Sequence, residues 1–250
     1  MYGRRVLVLI PHPDDEVVGT AIALDRLRQR GGEAFGLYLT SGVPPSAGSW
    51  LGGRMAYGRK VTRRWQEAMS VAQSLELTIA GRQMIPARNL KSHLRSSLRW
   101  IRERAKVLEV DRIWAPAYEG GHQDHDVTNF LAAQFRETHD VWEFSEYNFA
   151  GGGVRSQRFV EHRAEESVVV FDDSERQRKR ALIRSYASES ANLRGVRLER
   201  EVLRPLAGYD YARRPHEGTL FYERFHWVPF HPRIDYCRPE HVCEAIRGVD

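Results

Sequence analysis

The hydrophobic positions along the chain change period several times, from continuous apolar runs to helical spacing and back. The run Val6 to Ile10 is continuously apolar and is followed by Pro11, which is typical of a parallel strand covered on both faces. From Asp14 onward the apolar positions recur at helical spacing until two glycines at 31–32 end the pattern. Residues 34–39 resemble a second strand. The beginning of the chain therefore predicts a β–α–β unit.

The same alternation continues along most of the chain. Helical patterns cover about 61–76, 92–107, 127–134 and 173–188, and strand patterns cover about 111–117, 141–149 and 167–171. This order predicts an α/β fold, namely a single-domain, three-layer Rossmann-like sheet, mostly parallel, with helices on both faces. We expect one domain over residues 1–250, with a core of about 1–190 and an irregular C-terminal extension of about 191–250.

Residues 43–60 interrupt this alternation. They are rich in glycine and proline and have no clear hydrophobic period. A loop of this length in a compact domain is usually functional or disordered. Because it follows a predicted strand, we expect it on the same rim of the sheet as the end of the first strand.

The composition describes an ordinary globular protein. The 250 residues are 42% apolar and 28% charged, which is enough to bury a sizeable core. No apolar run approaches the roughly 18 residues of a membrane-spanning helix. The N-terminal apolar run is too short for a signal peptide and has no small-residue cleavage site. We therefore expect a cytoplasmic protein without a transmembrane segment.

The charge and the cysteines narrow the function classes further. The net charge of +5 does not predict a nucleic-acid partner, because acidic residues are interspersed among the basic ones. The densest basic group, 176–184, lies in a helical pattern that is typical of a solvated face. Cys237 and Cys243 match no zinc or redox spacing, so we expect both to be reduced.

Two clusters of histidines and carboxylates follow two of the predicted strands. One is His12-Pro13-Asp14-Asp15-Glu16, and the other is His122-Gln123-Asp124-His125. Ligands in open α/β sheets bind at the carboxyl ends of the strands, so these clusters meet if their strands share a sheet. Catalytic zinc sites use three ligands drawn from such groups, and the same set also suits Fe²⁺. In the first cluster, His12 and Asp15 can both bind one ion. Either His122 or His125 of the second cluster can supply the third ligand.

The remaining groups of these clusters suit amide hydrolysis. A divalent ion acidifies a water molecule and polarises a carbonyl oxygen. Asp14 is placed to take the proton of that water. The histidine that does not bind the ion, if protonated, could stabilise an oxyanion and protonate the leaving amine, with Asp124 beside it as support.

Each cluster taken alone also has a simpler explanation. Asp14 and Asp15 could cap the helix that begins there. His122 and His125 could be ordinary surface histidines. Helix capping does not require histidines at both junctions, so the pairing of the two clusters favours a metal site.

At these residues the sequence resembles the LmbE-like (PIG-L) family of metal-dependent N-acetylglucosamine deacetylases. The family's His-Pro-Asp-Asp-Glu motif matches His12 to Glu16 without change. Its His-Pro-Asp-His motif matches His122 to His125, with Gln123 in place of proline. Thr40-Ser41-Gly42 stands where the family usually has Thr-Asp-Gly. The similarity covers roughly the first 150 residues and is loose beyond them.

The resemblance implies a role for each matching residue. The zinc ligands that it implies are His12, Asp15 and His125. It further implies that Asp14 is the general base and that His122 stabilises the tetrahedral intermediate, with Asp124 supporting His122. Arg64 resembles a substrate-contacting arginine, although an ion pair with Glu67 at helical spacing is an alternative.

The implied activity is removal of the acetyl group from an N-acetylated amino sugar or its glycoside, with Zn²⁺, or alternatively Fe²⁺, as the cofactor. Trp50 and Tyr57, in the segment 43–60, are candidates to stack on a sugar ring. Two alternatives remain open. One is an amidase of the same mechanism acting on another N-acyl or thiol-conjugate substrate, and the other is a non-catalytic, metal-stabilised carbohydrate-binding protein.

Overall fold

A computed structural model of the protein describes residues 1–45, 51–226, 228 and 235–249. The strands are β1 (Arg5–Ile10), β2 (Glu33–Tyr38), β3 (Thr78–Arg82), β4 (Arg112–Pro116), β5 (Asp140–Phe144), β6 (Tyr147–Asn148), β7 (Arg155–Ser156), β8 (Ser167–Val170) and β9 (Arg200–Pro205). The helices are α1 (Asp15–Gln29), α2 (Leu51–Ser74), α3 (Leu94–Val107), α4 (Gln123–Ala133), α5 (Asp173–Ser185), α6 (Ser190–Leu193) and α7 (Pro239–Arg247).

Seven of these strands form one mostly parallel sheet in the order β3-β2-β1-β4-β5-β9-β8. Strands β1 to β5 pair in parallel, and β9 runs antiparallel to both of its neighbours. Strands β6 and β7 form a separate two-stranded hairpin. The predicted α/β class with a mostly parallel sheet is confirmed.

The apolar run of β1 is continuous because helices cover both faces of the sheet. Val6, Val8 and Ile10 pack with residues of α1, α2 and α5 on one face. Leu7 and Leu9 pack with residues of α3, α4 and α7 on the other. All five side chains are fully buried. At roughly 1.5–3 kcal/mol for each buried aliphatic side chain, this strand anchors both layers of the core.

The strand order reverses at β1, which has β2 on one side and β4 on the other. In open α/β sheets this switch point opens a crevice at the carboxyl ends of the strands. The two clusters predicted from the sequence follow β1 and β4. The topology therefore brings them to one place.

The prediction of an irregular loop over 43–60 is wrong from residue 51 onward, because α2 begins at Leu51. Gly52, Gly53 and Gly58 lie inside this helix, although glycine costs about 1 kcal/mol relative to alanine there. Helix formation is cooperative, so the part of α2 that packs on the core can extend the helix backward through a weak segment. Trp50 lies outside the described residues.

The C-terminal region contributes to the sheet itself, so the expected boundary near residue 190 does not divide the fold. Strand β9 lies between β5 and β8, and α7 packs against α4. Two charged residues interrupt the apolar pattern of β9, so the sequence does not predict this strand. Glu201 and Arg204 are both buried, and each pairs with an opposite charge, Lys179 and Glu143 respectively.

Two further predictions can be compared with the described residues. None of the helices there is both long and apolar enough to cross a bilayer. Cys237 and Cys243 are both buried and are not joined in a disulfide, as expected for reduced cysteines.

Candidate metal centre

His12, Asp15 and His125 bring three ligand atoms to one point at the end of β1 and β4. Nδ1 of His12 lies 3.3 Å from Nε2 of His125 and 3.2 Å from Oδ2 of Asp15, and that Oδ2 lies 3.3 Å from Nε2 of His125. Ligand atoms about 2.0–2.1 Å from a tetrahedral ion lie roughly 3.3 Å from one another. The spacing and the chemistry of this buried set of donors, from His12, Asp15 and His125, therefore fit a single zinc-sized ion.

A second group of possible ligands, His12, His122 and Asp124, lies beside the first. Its members already have protein partners. The Asp124 carboxylate accepts hydrogen bonds from the backbone N–H groups of Arg88 (2.6 Å) and Leu90 (3.2 Å). Nδ1 of His122 accepts the backbone N–H of Asp124 at 3.1 Å. In the first group the backbone N–H of His12 donates to Oδ2 of Asp15 at 2.7 Å, but the two imidazole nitrogens contact each other and this carboxylate. The first group is therefore the better candidate for an ion.

The helix-capping explanation for Asp14 does not agree with the structure. Asp14 is the N-cap residue of α1, but its side chain makes no capping hydrogen bond. Instead, Oδ1 accepts a hydrogen bond from Nη2 of Arg64 at 2.8 Å. The backbone φ of Asp14 is 129°, a value that side-chain-bearing residues rarely adopt. Such a conformation costs about 1–3 kcal/mol and is characteristic of functional sites.

The two neighbouring aspartates have opposite electrostatic surroundings. Burial, opposed by Arg64 and reinforced by Asp15, raises the pKa of Asp14 to about 7. Burial also acts on Asp15, but His125 and His12 outweigh it and hold the pKa of Asp15 well below its usual range. A pair of carboxyl groups with divergent pKa values divides naturally into a proton carrier and a permanent anion.

The carboxylate of Asp124 lies closer to His12 than to His122, the residue that the family resemblance implied it supports. Its Oδ2 lies 3.0 Å from Nε2 of His12 and 3.8 Å from Nδ1 of His122. Burial alone would lower the pKa of His12, but Asp15 and Asp124 raise it to about 10. The two carboxylates thus favour positive charge at this position, and a metal ion competes with the proton for it.

His122 is placed as a neutral hydrogen-bond donor. A backbone N–H can only donate, so Nδ1 of His122, which accepts one from Asp124, carries no proton. In the neutral ring the proton is therefore on Nε2. Burial and the nearby His12 lower the pKa of His122 well below its usual value. The protonated form considered from the sequence is not the form that these surroundings favour.

Arg64 is buried and holds the turn that carries Asp14. Besides Asp14, it donates to the backbone carbonyl groups of Pro13 (3.0 Å) and Gly42, and it lies 3.2 Å from Glu189. The alternative ion pair with Glu67 is absent, because Glu67 pairs with Arg63 at 3.3 Å. Arg64 also borders the cavity described below.

These residues open onto a cavity of about 820 Å³. This volume lies within the roughly 300–1,000 Å³ that is typical of small-molecule sites. Tyr57 borders it, and its hydroxyl lies 3.2 Å from Oγ of Ser41. The C-terminal region supplies further lining residues, among them Phe221 and Tyr222.

Sequence reasoning missed three acidic residues that line the cavity, namely Glu146, Glu189 and Asp235. One of them could have been found. Glu146 follows β5, the strand next to β4, so its position at the same edge of the sheet is predictable once the strand order is known.

Comparison with known families agrees with this geometry. The model of the PIG-L family, described as GlcNAc-PI de-N-acetylase, matches residues 7–135. This range contains both histidine–carboxylate clusters. The chain belongs to the PIG-L family. A search of curated proteins found no match to this PIG-L chain.

Solved structures with the same fold include enzymes of more than one kind. The zinc-inhibited form of teicoplanin deacetylase has a TM-score of 0.61 at 17% identity, covering 82% of this chain and 99% of that one. An N,N'-diacetylchitobiose deacetylase from Pyrococcus horikoshii gives 0.55 at 20% identity, covering 80% and 83%. The 4-carboxy-2-hydroxymuconate hydratase from Pseudomonas putida gives 0.57 at 14% identity, covering 83% and 98%. At these identities the similarity shows the fold, and the reaction has to be argued from the site of this PIG-L chain.

Proposed function

We propose that this PIG-L chain is a metal-dependent hydrolase that removes the acetyl group from an N-acetylated amino sugar or its glycoside. The observation that carries this proposal is the convergence of three metal-ligand atoms, from His12, Asp15 and His125, beside the Asp14 carboxylate in one cavity. The family description and the two structurally similar deacetylases support the choice of reaction and of sugar substrate.

Zinc is the ion that we assign to these three ligands. When bound, such an ion supplies Lewis acidity, which acidifies a water molecule and polarises a carbonyl oxygen. Three protein ligands in the described part of the chain match an open catalytic site, whereas a structural zinc site is closed by four. This favours a hydrolase over a non-catalytic metal-stabilised binding protein. Fe²⁺ suits the same ligand set and is therefore included in the test.

Asp14 is the general base in this account. Arg64 holds Oδ1, which leaves Oδ2 to accept a proton from the attacking water. Burial raises the pKa of Asp14 in the metal-free protein, which favours a carboxyl group that can both take and return a proton. Asp14 then gives this proton to the amide nitrogen as the carbon–nitrogen bond breaks, so that the nitrogen leaves as a neutral amine and the products are acetate and a free amine.

His122 stabilises the negative charge that develops on the carbonyl oxygen. Its Nε2–H is available because Nδ1 is bound to the backbone of α4. A fixed neutral donor of this kind is already oriented before the reaction begins, and removing one such donor typically costs about 100- to 1,000-fold in kcat.

Amine release from a substrate panel tests the proposal. The protein is stripped with a chelator, reloaded with Zn²⁺ or Fe²⁺ over a range of stoichiometries, and given N-acetylglucosaminides, their N-propionyl counterparts and an N-acylated thiol conjugate. The range matters because a similar deacetylase has a zinc-inhibited form. We expect metal-dependent release from the N-acetylglucosaminides. Release only from the other substrates would assign the amidase alternative, and no release from any would contradict the hydrolase.

A further inference from the structure

Glu146 is a buried carboxylate that has no role in the proposed reaction. It lies two residues beyond β5, and only 1% of its surface is exposed. Neither carboxylate oxygen has a hydrogen-bond partner in the part of the chain that the structure describes. Leaving a buried polar group unpaired costs about 1–3 kcal/mol, and more for a charged one. Such a group therefore calls for a partner.

The backbone of Glu146 holds this side chain in place. Its N–H donates to Oε1 of Glu119 at 2.8 Å, and its carbonyl oxygen accepts the N–H of Gln157 at 3.0 Å. The side chain borders the same cavity as the metal centre. Its position is consequently imposed by the end of β5 and by the hairpin that follows.

The imidazole of His125 is a candidate partner. Oε2 of Glu146 lies 3.9 Å from Nδ1 of His125, while Nε2 of that ring belongs to the three-ligand group. An imidazole that binds an ion through Nε2 carries its proton on Nδ1. A shift of about 1 Å would bring this N–H within hydrogen-bond distance of the carboxylate.

His12 has the same arrangement, and its contact with a carboxylate is already within hydrogen-bond distance. Its Nδ1 belongs to the three-ligand group, and its other nitrogen lies 3.0 Å from the Asp124 carboxylate. Histidines that bind metal ions commonly donate their second N–H to a carboxylate, which fixes the orientation of the ring. In each of the two histidine ligands, the ring nitrogen that does not face the metal site thus faces one carboxylate.

We propose that Glu146 is a positioning residue that accepts the Nδ1–H of His125 and orients this ring as a metal ligand. The inference rests on the proposed function, because it takes His125 as a ligand. It adds a residue that lies outside both sequence motifs. The buried carboxylate, costly in the metal-free fold, gains its partner when the site is loaded.

Zinc affinity measured by competition with a chelator tests this role without any substrate. For Glu146→Leu we expect zinc binding about 10- to 100-fold weaker than in the unmodified protein. Glu146→Gln keeps an acceptor oxygen and should lose less affinity. Glu166→Leu is the control, because this glutamate pairs with His162 away from the centre, and its zinc affinity should not change.

Unfolding of the metal-free variants separates positioning from a structural role. Removing an unpartnered carboxylate should leave the metal-free Glu146→Leu protein as stable as the unmodified one, or more stable. A large loss of metal-free stability would contradict the proposal. Equal zinc affinity in Glu146→Leu and the unmodified protein would also overturn the proposal. If zinc affinity is equal and only KM rises, Glu146 is a substrate contact and not a positioning residue.

The same measurements distinguish this inference from the proposed function. A protein that binds zinc tightly but releases no amine contradicts the proposed function, while the affinities of the Glu146 variants still decide the positioning role. An unmodified protein that binds no zinc would overturn both.

Discussion

The carboxylate of Asp124 lies 3.0 Å from Nε2 of His12, across 112 residues of sequence. The same carboxylate accepts two backbone N–H groups, those of Arg88 and Leu90. It is therefore fixed on one side by the backbone and holds the imidazole on the other. This leaves Nδ1 of His12 facing the other two metal-ligand atoms, so the second histidine motif orients a ligand of the first.

Asp124→Asn tests this relationship. The amide keeps the size of the side chain but cannot serve both the imidazole and the two backbone donors as an anion does. We expect zinc binding to weaken about 10- to 100-fold, as measured by chelator competition. Asp173→Asn, at an exposed position on α5, should bind zinc as the unmodified protein does. Unchanged affinity in Asp124→Asn would show that His12 needs no such support.

Arg64→Lys separates charge from geometry at Asp14. Lysine keeps the positive charge, but it cannot reproduce the guanidinium bonds to Asp14, Pro13 and Gly42. A misplaced catalytic group can cost about 100-fold in rate. We expect turnover to fall by about that factor while the zinc content stays at one ion per chain. Arg28→Lys, which alters an exposed ion pair with Glu76, serves as the control.

If Arg64→Lys lowers the zinc content together with the activity, the arginine supports the whole turn rather than Asp14 alone. That result would contradict the division of roles between the two aspartates.

His122→Asn distinguishes the oxyanion role from the structural role of the same residue. Asparagine is a good N-cap residue, so it can replace the hydrogen bond that begins α4. It does not place a donor where Nε2 lies. We expect kcat to fall about 100- to 1,000-fold, with little change in the urea midpoint of unfolding. Activity within threefold of the unmodified protein would remove His122 from the reaction.

The sequence predicts the fold near the site well because local patterns there agree with the tertiary structure. The unbroken apolar run of β1 reflects cover on both faces, and the motifs at the ends of β1 and β4 reflect the switch point of the sheet. The same reasoning fails at β9. The charged residues Glu201 and Arg204 are not typical of a buried strand. Their burial depends on ion pairs with Lys179 and Glu143, which are distant in the sequence.

Pairings between distant residues could not be predicted from sequence spacing. Arg64 has Glu67 three residues away at helical spacing, but its carboxylate partners are Asp14, 50 residues earlier, and the distant Glu189. The proximity of Glu146 to His125 likewise depends on the register in which β5 pairs with β4, where Phe144 lies opposite Pro116. Such contacts follow from the assembled sheet.

The buried pair of Lys179 and Glu201 gives a prediction about stability. Both side chains are fully buried, and Lys179 also donates to the carbonyl group of Val18 at 2.8 Å. Lys179→Met leaves the Glu201 carboxylate in the core without its cation. We expect a loss of about 3–5 kcal/mol in the free energy of unfolding, as measured with urea. Adding Glu201→Gln should recover part of that loss, and a loss below about 1 kcal/mol would contradict the importance of the pair.

The most direct test of the central claim compares Asp14→Asn with the unmodified protein, each loaded with zinc and assayed for amine release from an N-acetylglucosaminide that the unmodified protein cleaves. We predict that the variant binds one zinc ion per chain and loses nearly all turnover, because it lacks the base but keeps all three ligands. Near-normal turnover with zinc bound, or loss of the zinc itself, would contradict the assignment of Asp14 as base and Asp15 as ligand.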